Sequence, residues 1–265
     1  SHHRMREGWY GMKVSSADAK MVDEQFIKNM ALRYGDDSNV YRVRVLGEFP
    51  REDDDTVISL QLVEAAIGRE VEQADGKVIW GLDVARFGND RTALAKRQKN
   101  VLLEPIKYWQ GKDLMQTAGL VVQEYEDAPF DERPQMILVD SIGLGSGVVD
   151  RLKEQGYPAR GINVSESSSV NTDKYMRLRD ELWFKARDWF AQKDCLIPNQ
   201  DELIGDLTIP RYSVTSSGKL KVEGKDEIKK RLPRSPDLAD AFCLTFASSD
   251  RKFARKPARR NLGIV

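Results

Sequence analysis

Two short apolar runs in this chain end in a carboxylate. Residues 78–84 carry Asp83 after five residues that are mostly apolar, and residues 136–140 end at Asp140 in the same way. Apolar runs of this length between polar segments are typical of buried β-strands. Burying a carboxylate without a partner costs free energy, so each run also predicts a compensating group near its end.

The pattern between and after these runs predicts an α/β fold. Alternation over 91–98, an apolar segment over 101–109 and the run at 159–164 predict three further strands, the first two forming an antiparallel meander with the strand at 78–84. Apolar positions at helical spacing predict helices over 113–125, 143–156, 173–193, 201–207 and 235–248. A Ser-Ser-Gly turn predicts a β-hairpin from 207–214 and 219–222.

This order of elements is that of an RNase H-like domain. We expect a central mixed sheet of five or more strands, with the first three antiparallel, flanked by helices and carrying an extra β-hairpin. Cysteines are few and widely separated, at Cys195 and Cys243, which favours a reducing compartment and buried thiols. No apolar run approaches the ~18 residues of a membrane-spanning helix, so no membrane association is expected.

The first 55 residues differ from the rest. They predict a helix over 18–34 capped by Ser16 and Asp18, a short strand over 41–46, and an acidic linker at 52–55, and one more helix follows over 56–69. We therefore divide the chain into a remnant of another domain with its linker (1–55), the RNase H-like domain (56–248) and a basic tail (249–265). The tail has too few apolar residues to fold alone and is expected to be disordered.

Charge balance excludes a global electrostatic attraction to nucleic acid. The chain has 42 basic and 42 acidic residues, so a nucleic-acid site requires local clustering. Basic residues do cluster before and around the last predicted helix and on the hairpin, and two arginines flank the first carboxylate. The predicted DNA contacts are Arg86, Arg91, Lys219, Lys221, Lys225, Lys229, Lys230, Arg231 and Arg234. Contacts of this kind bind phosphates, so little sequence specificity is expected.

Four carboxylates predict a metal site. In an RNase H-like order the strands that end at Asp83 and Asp140 lie side by side. Asp237 and Asp240 are three residues apart and share one face of the last helix, where Asp237 also suits the positive end of the helix dipole. Hard cations such as Mg²⁺ and Mn²⁺ prefer carboxylate oxygens.

Two such ions suit phosphodiester hydrolysis. One lowers the pKa of a bound water, and the other stabilises the leaving oxygen. The histidines, His2 and His3, stand at the start of the chain, so proton transfer is expected to use metal-bound water or a lysine.

Three segments together resemble a known family. Residues 81–92, 139–145 and 235–242 are similar, in this order, to the nuclease domain of the large terminase subunits of tailed bacteriophages, and residues 34–50 resemble the junction that closes their N-terminal ATPase domain. The likeness spans roughly 9–248. It implies a metal-dependent endonuclease that cuts concatemeric double-stranded viral DNA during genome packaging.

The resemblance also implies roles and partners. Asp83, Asp140 and Asp237 correspond to metal ligands, and Asp240 lies where some relatives carry another. Implied partners are the ATPase domain of the same polypeptide, the small terminase subunit and the portal protein, in the host cell cytoplasm. No phosphate-binding G-x-x-x-x-G-K-[ST] loop occurs, so the chain is expected to be the C-terminal part of a longer protein and not to hydrolyse ATP.

Two other functions remain open. An RNase H-like domain can serve as a docking or structural module of a packaging motor, because fold does not fix function. A resolvase or transposase-type nuclease would use the same chemistry. The complete set of acidic residues favours a nuclease over a docking module, and the likeness of residues 47–50 to the terminase junction argues against a strand exchanger.

Overall fold

A mixed six-stranded sheet forms the centre of the protein in a computed structural model, which describes residues 22–36, 38–48, 55–85, 90–168, 172–232 and 234–247. Its strands are β1 (Val78–Asp83), β2 (Thr92–Gln98), β3 (Val101–Leu102), β4 (Lys107–Trp109), β5 (Met136–Asp140) and β6 (Ala159–Ile162). The spatial order is β3-β2-β1-β5-β6, and β4 also pairs with β2. Pairing is antiparallel among the first strands and parallel from β1 to β5 and β6, which confirms the predicted mixed α/β sheet.

The third predicted strand is two short strands. Both pair with β2, β3 at residues 97–98 and β4 at residues 92–94. Pro105 has no N–H to donate to a strand ladder. Ile106 donates its N–H to the Gln200 side chain and not to a strand, so the segment between β3 and β4 leaves the sheet.

Helices cover both faces of the sheet. They are α1 (Glu24–Tyr34), α2 (Asn39–Arg44), α3 (Leu60–Ala66), α4 (Leu114–Asp127), α5 (Gly145–Glu154), α6 (Leu178–Ala191), α7 (Asp201–Thr208), α8 (Lys225–Lys229) and α9 (Asp237–Leu244). The predicted hairpin is present as β7 (Tyr212–Val214) and β8 (Leu220–Val222). No helix in the described ranges is long and apolar enough to span a membrane.

Two apolar layers hold the sheet in place. Alternate side chains of β1, among them Trp80 and Leu82, pack in one core with residues of α4 and α5. On the opposite face Ala93, Ala95 and Leu138 pack in a second core with the aromatic residues of α6 and α9. The aromatic residues of α6 are therefore core residues, as their helical spacing predicts. The sheet thus places α9 next to β1 and β2.

The predicted strand over residues 41–46 is wrong, because residues 39–44 form helix α2. The Ser38 hydroxyl accepts the N–H of Tyr41 and caps this helix, and Val40 and Val45 are buried. The alternation of apolar residues over 41–45 suggested a strand, but the cap signal decides the structure. Helix α1 begins at Glu24 and not at residue 18, because Asp23 accepts the N–H of Gln25. The proposed caps Ser16 and Asp18, residues 52–54 of the linker and the basic tail lie outside the described residues.

Several other boundaries also differ from the prediction. Helix α3 is shorter than 56–69, and α6 begins at Leu178 because Asp180 accepts the N–H of Arg177. Helix α8 was not predicted at all. Helix α9 begins at Asp237 and not at residue 235: Pro236 stands at the cap position without a side-chain acceptor, and the Ser235 hydroxyl donates to Asp90.

Candidate functional site

The register of the two central strands brings the first two carboxylates together. Leu82 pairs with Val139 in the parallel ladder of β1 and β5, so Asp83 and Asp140 come next on adjacent strands, at the carboxyl end of each. Both line one cleft of about 620 Å³. This confirms the position that the strand pattern predicts for the pair.

Helix α9 adds two more carboxylates at the same place. Asp237 is its first residue and lines the same cleft as Asp83, and Asp240 follows almost one turn later and lines a smaller cavity with Asp83 and Asp140. Asp237 and Asp240 are buried, with 2% and 8% of their surface exposed. Helix α9 reaches this position because Gly81 in β1 has no side chain to keep it away.

A lysine ammonium lies among these carboxylates. The Nζ of Lys225, the first residue of α8, is 2.7 Å from Asp83 Oδ2, 3.2 Å from Asp237 Oδ1 and 3.4 Å from Asp240 Oδ2. Burial would lower the pKa of this amine, but the surrounding carboxylates raise it well above its ordinary value. Lys225 is therefore a cation that neutralises part of the negative charge of the site.

The two strand-end carboxyls have raised pKa values. Burial raises the pKa of Asp83 to about 7; Lys225 opposes this shift, and Asp240, Asp237 and Asp140 add to it. Burial also raises the pKa of Asp140 to about 6, against the N–H of Ile142, which Asp140 Oδ1 accepts at 3.1 Å. A site that destabilises its own ionised carboxylates favours the entry of a further cation.

Asp240 is held as a carboxylate. Burial opposes its ionisation, but Arg179 and Lys225 lower its pKa below the ordinary value. Its Oδ1 accepts the Trp183 indole N–H at 2.8 Å and the Arg179 Nε–H at 3.1 Å. Its Oδ2 is buried and accepts no hydrogen bond. The Lys225 ammonium lies 3.4 Å from this oxygen, so Asp240 Oδ2 already faces a cation.

The donor set fits a hard divalent cation. Within the described parts of the chain, no three His, Cys, Asp or Glu side chains are arranged to hold a metal ion, and the Lys225 ammonium lies between the carboxylates. Cys243 also lines the smaller cavity, but burial raises the pKa of its thiol well above the usual range. The ligands on offer are therefore carboxylate oxygens, which Mg²⁺ and Mn²⁺ prefer.

The predicted DNA-binding residues are distributed over three environments. Lys221, Lys225 and Lys229 line the cleft. Lys219 lies on the hairpin and Lys230 directly follows α8, and both are at the surface. The guanidinium groups of Arg91 and Arg234 contact Asp206, and that of Arg231 contacts Glu223. Arg86 lies outside the described residues. DNA contact by all of these residues stays a prediction.

Several residues in or beside the site were not predicted from the sequence. Lys225 was assigned to DNA and not to the carboxylates, and no role was predicted for Arg177 and Arg179, which line the cleft. Asp206 was also missed, although a carboxylate inside the apolar run 203–207 is itself a signal, because its burial requires partners. For Arg177 and Arg179 the sequence offers no such signal.

Among known proteins, a probable terminase large subunit of Enterobacteria phage P7 is 25% identical over 273 residues, which covers 94% of this chain and 54% of that protein. The chain thus spans about half the length of this curated relative. No protein-family model matches the chain.

Solved structures extend the comparison to the fold. The nuclease domain of the large terminase subunit of bacterial virus Sf6 matches with TM-score 0.61 and 22% identity, over 71% of this chain and 97% of that domain. The large terminase nuclease of thermophilic phage G20c with bound magnesium matches with TM-score 0.52 and 16% identity, over 72% and 96%. This is the fold of a large-terminase nuclease domain. The predicted RNase H-like fold and the resemblance to terminase large subunits are confirmed.

Substitution of Lys225 should show how far its positive charge stabilises the cluster of carboxylates. Without the ammonium, Lys225→Ala leaves Asp83, Asp237 and Asp240 to repel one another, so the metal-free protein should melt lower at pH 8, by about 2–4 °C for each kcal/mol lost. The rise in Tm on adding saturating MnCl₂ should become larger, because the ion then replaces the missing cation. Thermal melts with EDTA and with MnCl₂ measure both effects.

Lys229→Ala is the matched control. Lys229 lines the same cleft but pairs with Asp90, 2.8 Å away. Equal Mn²⁺-induced shifts in the two variants would show that Lys225 does not compensate the carboxylates.

Proposed function

We propose that this chain is a metal-dependent endonuclease that cuts concatemeric double-stranded viral DNA during genome packaging. The observation that carries the proposal is that Asp83, Asp140 and Asp237 line one cleft of a terminase nuclease fold, while Asp240 lines a smaller cavity together with Asp83 and Asp140. Phosphodiester cleavage needs concentrated positive charge at a cavity that a phosphate can enter. The four carboxylates would supply this positive charge by binding cations.

The four aspartates would hold Mg²⁺ or Mn²⁺, with two ions as the expected number. Solved structures of the Sf6 and G20c terminase nucleases carry manganese and magnesium, which supports divalent metal use in this fold. Bound divalent ions supply an activated water and stabilise negative charge on the phosphate and the leaving oxygen. Asp240 Oδ2 is a candidate ligand atom, because it is buried, accepts no hydrogen bond and faces the Lys225 ammonium at 3.4 Å.

The basic residues of the cleft have separate roles in this proposal. Lys225 keeps its proton at neutral pH because the carboxylates raise its pKa, so it cannot accept a proton from water and acts as a fixed positive charge. Arg179 is held between Asp240 and the Glu223 carbonyl and fixes the carboxylate it contacts. Arg177, Lys221 and Lys229 line the rest of the cleft and would bind the DNA backbone.

DNA binding should depend on Lys221 through charge alone. Removing one phosphate contact, as in Lys221→Ala, should weaken binding equally for unrelated DNA sequences and lower the slope of log K against log salt by about 1. Lys112→Ala is the control, because Lys112 is exposed and lies at a surface pocket on α4, away from the cleft. Fluorescence anisotropy over a salt series measures the slopes. Identical slopes for the two variants would remove Lys221 from the DNA interface.

The test of the proposed function is cleavage of supercoiled plasmid without ATP. Nicked and linear products should appear with Mg²⁺ or Mn²⁺ and disappear with EDTA, and Asp140→Ala should abolish them at equal folded concentration. Cleavage that persists in EDTA, or in Asp140→Ala, would refute a metal-dependent nuclease at this site.

The wider assembly follows the same proposal. We infer that the ATPase domain of the same polypeptide, the small terminase subunit and the portal protein are partners in the host cytoplasm, in line with the terminase relative from phage P7. A docking module with the same fold would not need four carboxylates gathered at one place, so the complete acidic set favours the nuclease. A resolvase or transposase-type nuclease is the third possibility. Cleavage that is equally fast for unrelated DNA sequences and for DNA with or without junctions would argue against it.

A further inference from the structure

Asp206 is a fully buried carboxylate outside the cleft. It lies on α7 with no exposed surface. Its Oδ2 accepts a guanidinium N–H of Arg91 at 3.1 Å and the backbone N–H of Leu238 at 3.0 Å, and its Oδ1 contacts Arg234. Burying an ionised carboxylate is costly unless charged and hydrogen-bonding partners compensate it. The three donors at Asp206 meet that requirement, so its position is well defined.

These contacts join Asp206 to the start of α9. Pro236 occupies the N-cap position of that helix and provides no side-chain acceptor for the N–H groups of the first turn. Asp206 accepts one of them, at Leu238, and so caps α9 from another helix. A negative charge at this end also interacts favourably with the helix dipole. The position of α9 therefore depends on α7.

The second route from Asp206 leads to Asp237 itself. Arg91 donates its backbone N–H to Asp237 Oδ2 at 3.0 Å while its guanidinium binds Asp206. Asp206 thus contacts two neighbours of Asp237. One is Leu238, which follows Asp237 in α9, and the other is Arg91, which donates its backbone N–H to the Asp237 carboxylate. Asp206 does not line the cleft and does not touch Asp237 through a hydrogen bond in the described structure.

We propose that Asp206 is a positioning residue that fixes Asp237 for metal binding. This inference rests on the proposed function, because it assumes that Asp237 is a metal ligand. Partners that orient metal ligands influence metal affinity by about 10–100-fold when they are removed. Asp206 acts through Arg91 and the start of α9, and a merely structural residue of equal importance to the fold would not change metal affinity to that extent.

The experiment compares Mn²⁺ binding in Asp206→Asn and in Leu152→Ala by titration of the Mn²⁺ electron paramagnetic resonance signal, well below the Tm. Asp206→Asn keeps the shape of the side chain but loses the charge that holds two arginines, so the Kd for Mn²⁺ should rise about 10–100-fold. Leu152→Ala removes a fully buried core residue of α5, on the other side of the sheet, and controls for lost stability. Its Kd should equal that of the parent.

Each other outcome has a definite meaning. If Asp206→Asn binds Mn²⁺ like the parent, or if Leu152→Ala weakens it equally, the positioning role is refuted. If the parent binds no Mn²⁺, or if Asp83→Asn binds it unchanged, the proposed metal site fails and this inference fails with it. Should Asp206→Asn not fold, Arg91→Lys replaces it: the backbone N–H to Asp237 stays, the guanidinium contact is lost, and a smaller rise in Kd in the same direction is expected.

Discussion

Asp83→Asn should reduce DNA cleavage by at least about 100-fold while raising the thermal stability of the metal-free protein at pH 8. Loss of a partner that only orients a metal ligand already costs about 10–100-fold, so loss of a ligand should cost no less. The gain in stability follows from burial, because Asp83 is nearly inaccessible and stands beside other carboxylates. Plasmid cleavage with Mn²⁺ and thermal melts in EDTA measure the two effects on one preparation.

The pH dependence of that gain has a definite sign. Folding raises the pKa of Asp83 from 3.8 to about 7, so the folded state binds more protons than the unfolded state between these values. The stability that protonated Asp83 contributes is complete below pH 4 and is lost as the pH rises through 7. Asn carries no such charge, so the difference in Tm between variant and parent should be small at pH 4 and largest at pH 8.

Asp150→Asn is the matched control for this substitution. Asp150 is an exposed residue of α5 and does not line the cleft. Neither cleavage nor the pH dependence of Tm should change. If Asp83→Asn cuts DNA as well as Asp150→Asn does, Asp83 is not a metal ligand.

Gly81→Ala should destabilise the protein and suppress cleavage, although it adds only one methyl group. A Cβ at Gly81 would lie 2.1 Å from the Ala241 carbonyl oxygen of α9 and 3.0 Å from Thr245 Cγ2. Backbone atoms cannot yield as a flexible side chain does, so α9 must move away from β1. Overpacking of this kind costs about 1–3 kcal/mol. The displaced helix also carries Asp237 and Asp240 away from Asp83.

Gly119→Ala is the opposite case in the same chain. Gly119 lies on α4, is exposed, and a Cβ there would meet no atom within 4 Å. Alanine in an exposed helical position should stabilise the protein by about 0.5–1 kcal/mol. Thermal melts and plasmid cleavage with Mn²⁺ distinguish the two. A Gly81→Ala protein with parental Tm and cleavage would show that α9 is not held by its contact with β1.

The sequence predicts the sheet and the strand-end carboxylates well, because both depend on local patterns. The apolar runs before Asp83 and Asp140 must be strands that bury a core, and parallel pairing of neighbouring strands then places both carboxylates at one edge. The last helix is predicted for the same reason, since its apolar residues alternate with acidic ones at helical spacing. Predicting these elements required no information about contacts between residues far apart in the chain.

The misjudged elements depend on contacts between distant parts of the chain. Asp206 caps a helix that begins about 30 residues later, and nothing local to Pro236 reveals the missing acceptor. Lys225 joins Asp83 across a separation of 142 residues. Helix α8 has five residues, too few for a periodic pattern to distinguish it from a turn. For helix α2 the local signals conflicted. The alternation of apolar and polar residues over 41–45 suggested a strand, although the cap at Ser38 favours a helix.

The separation of the site residues along the chain has a consequence for biosynthesis. Asp83 and Asp140 leave the ribosome long before Lys225, Asp237 and Asp240, and Lys225 contacts Asp83 across 142 residues. A nascent chain with both central strands but without α9 therefore lacks half of its carboxylates. Under the proposed function, the site is complete only after the last helix has been translated and has docked on β1, so an incompletely translated chain should not cut the DNA around it.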